Sequence, residues 1–220
     1  MNDFSTWDIA SNLLLAARWT IALSLIAFVG GGLVGLALLA MRVLGNMSGR
    51  PALTVPVKLY VDFFQGTPLL MQMFLIFFGL GLFGVNVSPL AAAAISLTLF
   101  SSAFLTEIWR GCVEAIPRGQ WLAGASMGLT TLQQLRYVIW PQALKIAIAP
   151  TVGFSVQVVK GTSVASIIGF VETTKAGTMI VNATFAPFTV YAMVAALYFC
   201  LCFPLSWWAK RLERGMAVAH

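Results

Sequence analysis

The side chains able to do chemistry are few, and most stand where water is scarce. Gln65, Gln72, Gln157 and Lys160 lie in or beside long uncharged runs, with Asp62 near the start of one and Glu107 at its end. A polar group at membrane depth is costly, so each should face a partner or a watered cavity. The block Lys160-Gly161-Thr162-Ser163 puts a cation, a glycine and two hydroxyls inside an apolar stretch. A broken helix lining a polar path requires that composition. Gln65, Gln72, Gln157, Lys160, Thr162 and Ser163 are therefore the expected pathway residues. The plainer alternative for Lys160 is a stem lying along the helix with its ammonium at the membrane interface. Glu107 and Arg110, three residues apart, are expected to pair with each other on a helix end.

Other chemistries find no residues. Embedded hydrolases and phosphotransferases need clustered carboxylates, a histidine pair or a nucleophile with its base. The single histidine is the terminal His220, and the acidic residues do not cluster within the apolar runs. Lys160-Gly161-Thr162 shares letters with a phosphate loop, but no G-x-x-x-x-G-K-[ST] frame occurs, so no ATP site is expected in this chain. Cys112, Cys200 and Cys202 lack metal or disulfide spacing and read as small buried hydrophobes. Catalytic and metal-binding residues are accordingly expected to be none.

The elements that position these residues are set by hydrophobicity. The chain has 220 residues, 60% of them hydrophobic and 9% charged, with a mean hydropathy of +0.90. The solvent is a bilayer. The net charge of +6 records topology rather than nucleic-acid binding, which is not expected. The single unit spanning residues 1–220 is all-α. It has five expected transmembrane helices: Thr20–Met41, two within Phe63–Thr106 separated by a turn over Gly84–Pro89, Ile146–Val171, and Phe188–Trp208. Asp8 to Arg18 is expected to lie along the membrane face ahead of the first span, and Arg42 to Lys58 to form a basic loop. Gly31 and Gly35 read as a close helix contact. Asp3 and Asp8 precede the first apolar stretch without a basic leader, so a cleavable signal is not expected.

Alternate segments carry very different basic content. One side holds Arg42, Arg50, Lys58, Arg110, Arg118, Arg136, Lys145, Lys210, Arg211 and Arg214; the other holds Arg18, Lys175 and the near-membrane Lys160. The positive-inside rule places the rich side in the cytoplasm, with the C-terminus there and the N-terminus outside. A cysteine at Ser48 should then be shielded from outside reagents.

Between the third and fourth spans, residues 107–145 form the longest segment suited to water. Pro117 suits the first turn of a short helix, and Gly128 is placed to end it. Thr130 and Gln133 form a T-x-x-Q capping box for a second helix, expected to run to Trp140 and Pro141. Trp121, Leu122 and Ala125 are expected on one face of the first, too few to fold alone and suited to docking on another protein.

This loop resembles the cytoplasmic EAA loop of bacterial ABC-importer permeases, most of all the polar amino-acid uptake branch. The resemblance rests on G-Q-W-x-A-x-x-x-x-G-L and L-R-Y-V-I-x-P-Q-A-L, supported by Tyr60–Leu70, Lys160–Phe170 and Phe203–Arg214. Leu122 replaces the acidic residue of the motif, Gly124 its second alanine, and Trp140 the leucine before the proline. The resemblance implies that Gly119, Gln120, Trp121, Leu122, Ala123, Ala125 and Gly128 form the coupling element. An ABC ATPase dimer carrying ATP and Mg would dock there, and this chain would hold no cofactor. It further implies a second permease subunit, the same or homologous, and a periplasmic or tethered substrate-binding protein. The substrate would be a polar amino acid or a close derivative such as an opine, and the setting the lipid of a bacterial inner membrane. A stand-alone carrier or channel is the alternative reading, but the chain lacks the internal repeat such carriers use.

Overall fold

The computed structural model describes residues 5–47 and 49–217; Asp3, Ser48 and His220, named above, lie outside them. Helix α1, Thr6–Met47, is 42 residues long. At 1.5 Å per residue that is about 63 Å, more than a bilayer with its headgroups. Ser5 and Asp8 cap its start reciprocally: the Ser5 amide and hydroxyl donate to Asp8 Oδ2 at 3.0 and 2.8 Å, and the Asp8 amide donates to Ser5 Oγ at 3.2 Å. The expected lead-in along the membrane face is thus the first turns of the span itself. Ile9, Leu13 and Ala16 hold it upright, buried against Ala176, Ile180, Val190 and Val194.

The expected basic loop is also mostly helix. Arg42 belongs to α1, and Lys58 to α2, Pro51–Gly66. After α2 the chain turns by 105° into the helical run Leu69–Leu82. That run comprises α3 (Leu69–Phe74), a π-helical turn (Leu75–Gly79) and α4 (Leu80–Leu82). The break is local chemistry. Pro68 disfavours the helical region for Thr67, which is extended at φ −113°, ψ 141°. Gln72 then answers the carbonyls left open. Its Nε2 donates to Phe64 O, Thr67 O and Thr67 Oγ1 at 2.9, 3.0 and 2.9 Å.

A turn at Gly84, φ +78°, leads to α5, Pro89–Glu114, capped by Ser88 Oγ accepting from the Ala91 amide. Helices α1 and α5 run parallel, with small residues at the crossing. A Cβ on Gly31 would lie 2.5 Å from Ser101 Cβ, and one on Gly35 3.1 Å from Ser102 O. This is the close contact expected of the glycine pair. Parallel α1 and α5 oblige the bent α2–α4 run to carry the chain back across, so it counts as a span despite its break.

The loop holds α6, Arg118–Ser126, and α7, Thr131–Gln134. From α7 the chain stays helical through a π-helical turn (Leu135–Ile139), α8 (Trp140–Gly161) and a 3-10 turn (Thr162–Ser166). Pro141 does not stop the helix as expected. The π-turn precedes it and shifts the hydrogen-bond register ahead of the proline, and Gln142 Nε2 donates to Val138 O at 2.8 Å within the same turn. Trp109 donates to Thr151 Oγ1 at 2.9 Å, and Leu97 packs beside Gly161, so α8 is antiparallel to α5. Helix α9, Thr173–Thr184, continues away from the loop end beside the start of α1, and α10, Pro187–Ala217, returns. The chain therefore makes five crossings, four on helices long and apolar enough by themselves and one on the bent run. The N-terminal end of α1 and the C-terminal end of α10 lie at opposite ends of the bundle.

The core joins α1, α3, α5 and α8 through Leu23, Ala27, Met73, Leu97, Leu105, Phe154 and Val158. Many large apolar side chains face outward, Leu33 and Leu75 among them, as a chain solvated by lipid requires.

Candidate coupling loop and polar break in the fourth span

Pro117 precedes α6 as its N-cap, one residue ahead of its expected place in the first turn. At the other end Gly128 has φ +74°. The Gly128 amide donates to Ala125 O at 2.9 Å and the Leu129 amide to Gly124 O at 3.1 Å. This is the paired closure that a glycine in the left-handed region permits. Next comes the capping box: the Thr130 amide donates to Gln133 Oε1 at 2.8 Å, and the Gln133 amide to Thr130 Oγ1 at 3.4 Å.

The faces of α6 differ from expectation. Trp121 turns inward, packed with Val113 and Leu135 on the buried Ile116, Ile139 and Ala143. Leu122 is 69% exposed, and Gly119, Gln120, Ala123 and Ala125 are exposed with it. Trp121 therefore does not share the outward face of Leu122 and Ala125; it anchors the short helix to its own bundle. Gly124 is buried, and a Cβ there would meet Gln134 Cγ at 2.9 Å. Gln134 also donates to Leu129 O at 2.9 Å. The glycine that stands in for the motif's second alanine makes room for this clasp.

Behind the loop runs a chain of charges. Glu107 pairs with Arg110 at 2.7 Å and also with Arg42 of α1, and Arg110 reaches on to Glu114. The expected pair is the middle of a four-residue network that ties α1 to α5 where the loop begins.

The six expected pathway residues divide. Gln157 and Lys160 are exposed, three residues apart on one face of α8, and Gln65 is exposed on α2 with its amide 3.4 Å from Ala103 O. Gln72 is 4% exposed and bound to the α2–α3 break rather than to any path. Thr162 is wholly buried, its hydroxyl donating to Val159 O at 2.7 Å. Half-buried Ser163 donates to Lys160 O at 2.7 Å. The hydroxyls thus satisfy carbonyls where α8 tightens into the 3-10 turn. The helix changes type at the expected place, and the exposed polar groups there are Lys160 and Gln157.

One cluster was not anticipated. Glu172, with no exposure, caps α9 by accepting from the Thr174 and Lys175 amides at 2.8 and 2.9 Å. The Tyr198 hydroxyl of α10 donates to its Oε2 at 2.8 Å. Beside it Thr20 of α1 and Thr173 share a hydrogen bond of 2.7 Å. Only the acid ahead of a polar helix start could have signalled the cap; Tyr198 and Thr20 are remote in sequence.

Residues 34–218 match the family described as the inner membrane component of binding-protein-dependent transport systems. The chain belongs to that family. The permease is 33% identical to the L-cystine transport system permease protein TcyB of Bacillus subtilis (strain 168), over 96% of this chain and 88% of that one. It is 29% identical to the glutamine transport system permease protein GlnP of Escherichia coli (strain K12), over 96% of each. Among solved structures, an amino acid ABC transporter crystallised with histidines superposes with a TM-score of 0.90 at 30% identity, covering 97% of this permease and 98% of that chain. An inward-facing MetNI methionine ABC transporter shares the fold, with a TM-score of 0.74 at 23% identity. The bent second span, the short loop helix and the five crossings are thus those of an ABC-importer permease, a multi-pass membrane protein that serves as a transport subunit.

Proposed function

We propose that this permease, paired with a second permease subunit of the same or a homologous chain, forms the pathway of an ATP-driven importer for a polar amino acid in a bacterial inner membrane. The observation that carries the reading is the exposed pair Gln157 and Lys160 on one face of a spanning helix. No ion pair to Lys160 occurs among the described residues, and an ammonium at membrane depth is too costly to leave facing hydrocarbon. A second subunit enclosing a watered path covers that face, and the cation suits the carboxylate that every amino acid carries. The substrates named for the glutamine and cystine relatives agree with that class.

ATP and Mg belong to a separate ATPase dimer docked on the exposed face of α6, where Leu122 offers apolar surface in place of the motif's acid. A binding protein delivers substrate at the opposite end, beside the start of α1. The decisive experiment is uptake by the reconstituted complex carrying Lys160→Ala. Uptake should fall markedly while membrane insertion and ATPase co-purification stay at the parent level. Uptake equal to the parent's would return Lys160 to the membrane interface and remove it from the path.

A further inference from the structure

A continuous apolar groove runs along the outside of the bundle between α1 and α8. Three hollows of about 340, 370 and 270 Å³ succeed one another along it. The first two share Leu36, Val113 and Trp140, and the second and third share Phe28 and Val152, so they form one channel. Its loop end is bordered by Arg136. That arginine differs from its cationic neighbours. Arg42 and Arg110 at the same end are neutralised by Glu107 and Glu114, whereas no carboxylate pairs with Arg136 among the described residues. Its guanidinium lies 5.6 Å from the centroid of the Tyr137 ring. Tyr137 is 65% exposed, and Trp140 stands one helical turn on. Arginine with tyrosine and tryptophan at the end of an apolar face is the composition of a headgroup-level anchor.

We propose that this groove is a binding site for an anionic phospholipid, with its acyl chains in the hollows and its phosphate on Arg136. Basic positions between spanning helices recruit anionic headgroups because a lone guanidinium there has no cheaper counter-ion. The occupant is a lipid rather than a subunit because the trough is apolar, follows α1 from Ser24 to Leu44 and carries one unpaired cation at its loop end. That is the charge and shape of a single amphiphile. The site is independent of the transport pathway at Lys160 and of the docking face of α6.

The test is to purify the permease with its ATPase from membranes and measure retained phosphatidylglycerol and cardiolipin against phosphatidylethanolamine by mass spectrometry. The parent should be enriched in anionic lipid. Arg136→Gln should lose about fivefold of that enrichment, the worth of one basic contact near the surface. Arg136→Lys should keep most of it. Ala40→Trp, which fills the groove without touching a charge, should lose it too, and Arg214→Gln at the end of α10 should not. The parent retaining no more anionic lipid than its membrane contains would overturn the proposal. So would Arg136→Gln retaining as much as the parent, or losing a protein subunit with lipid unchanged, which would make the groove a protein interface.

Discussion

Among the described residues Glu172 is the ionisable group most thoroughly removed from water, and three donors converge on it: two amides at the start of α9 and the Tyr198 hydroxyl. Burial pushes its carboxyl above the ordinary range, while the amides of Thr174 and Lys175 and the Tyr198 hydroxyl pull the other way without cancelling the rise. An acid whose folded pKa is raised weighs on the fold only once the unfolded chain can ionise. Its cost is therefore absent below the ordinary value of about 4.3 and grows as pH rises through the raised folded value. The melting temperature of the parent should accordingly decline over that window relative to Glu172→Gln, which cannot ionise. Parallel profiles would show that the carboxylate does not titrate there. Glu172→Ala should melt lower at every pH, by about 1–3 kcal/mol, because the amides and the hydroxyl lose their acceptor without gaining water. Lys160 stood out as an isolated letter because a cation in an apolar run is costly wherever its ammonium ends. Glu172 did not, since its meaning lies in contact with Thr174 and Tyr198, which no local pattern connects.

At the scale of the element, stops and starts were easier to read than faces. Gly128 and the Thr130–Gln133 box announce the two helices of the loop, because each residue type satisfies a specific unpaired backbone group. Neighbours on a nine-residue helix point about 100° apart, however, and only packing decides which of Trp121 and Leu122 turns inward. The bend at Thr67-Pro68 had a local signal in Gln65-Gly66-Thr67-Pro68, but within a long uncharged run that turn chemistry did not show that the helix resumes on the same crossing. The split between Trp121 and Leu122 makes them separable. Trp121→Ala should lower the melting temperature of the permease alone, by roughly 1.5–3 kcal/mol of lost burial, and weaken ATPase retention as a consequence. Leu122→Ala, on the exposed face, should change permease stability by less than about 0.5 kcal/mol while still reducing retained ATPase. That deficit should be nearly the same at low and high salt, since an apolar contact is not screened. Full retention by Leu122→Ala at both salt concentrations would take this side chain out of the dock.

For the whole molecule, the packing determines which ends lie together and the charges decide which end faces the cytoplasm. Parallel α1 and α5, antiparallel α8 and the returning α10 bring three things to one end of the bundle: the α1–α2 connection, the loop with α6, and the basic end of α10. Arg50, Arg118, Lys145, Lys210, Arg211 and Arg214 gather there, while Lys175 sits toward the other end. Arg42 and Arg110 belong to the same end but are neutralised within their own network, so the excess rests on the cations that remain free. Basic residues close to span ends resist translocation, so the loop end is expected to be cytoplasmic. An odd number of crossings would then leave the start of α1 outside. The expectation is tested by single cysteines in intact cells, with the native cysteines replaced. Asn46→Cys, exposed near the end of α1, should be protected from a membrane-impermeant maleimide until the cells are opened. Asn86→Cys, exposed in the turn before α5, should react at once. Labelling of Asn46→Cys from outside with Asn86→Cys protected would invert the molecule. It would also place α6 where no ATPase can reach it, and so overturn the coupling role along with the orientation.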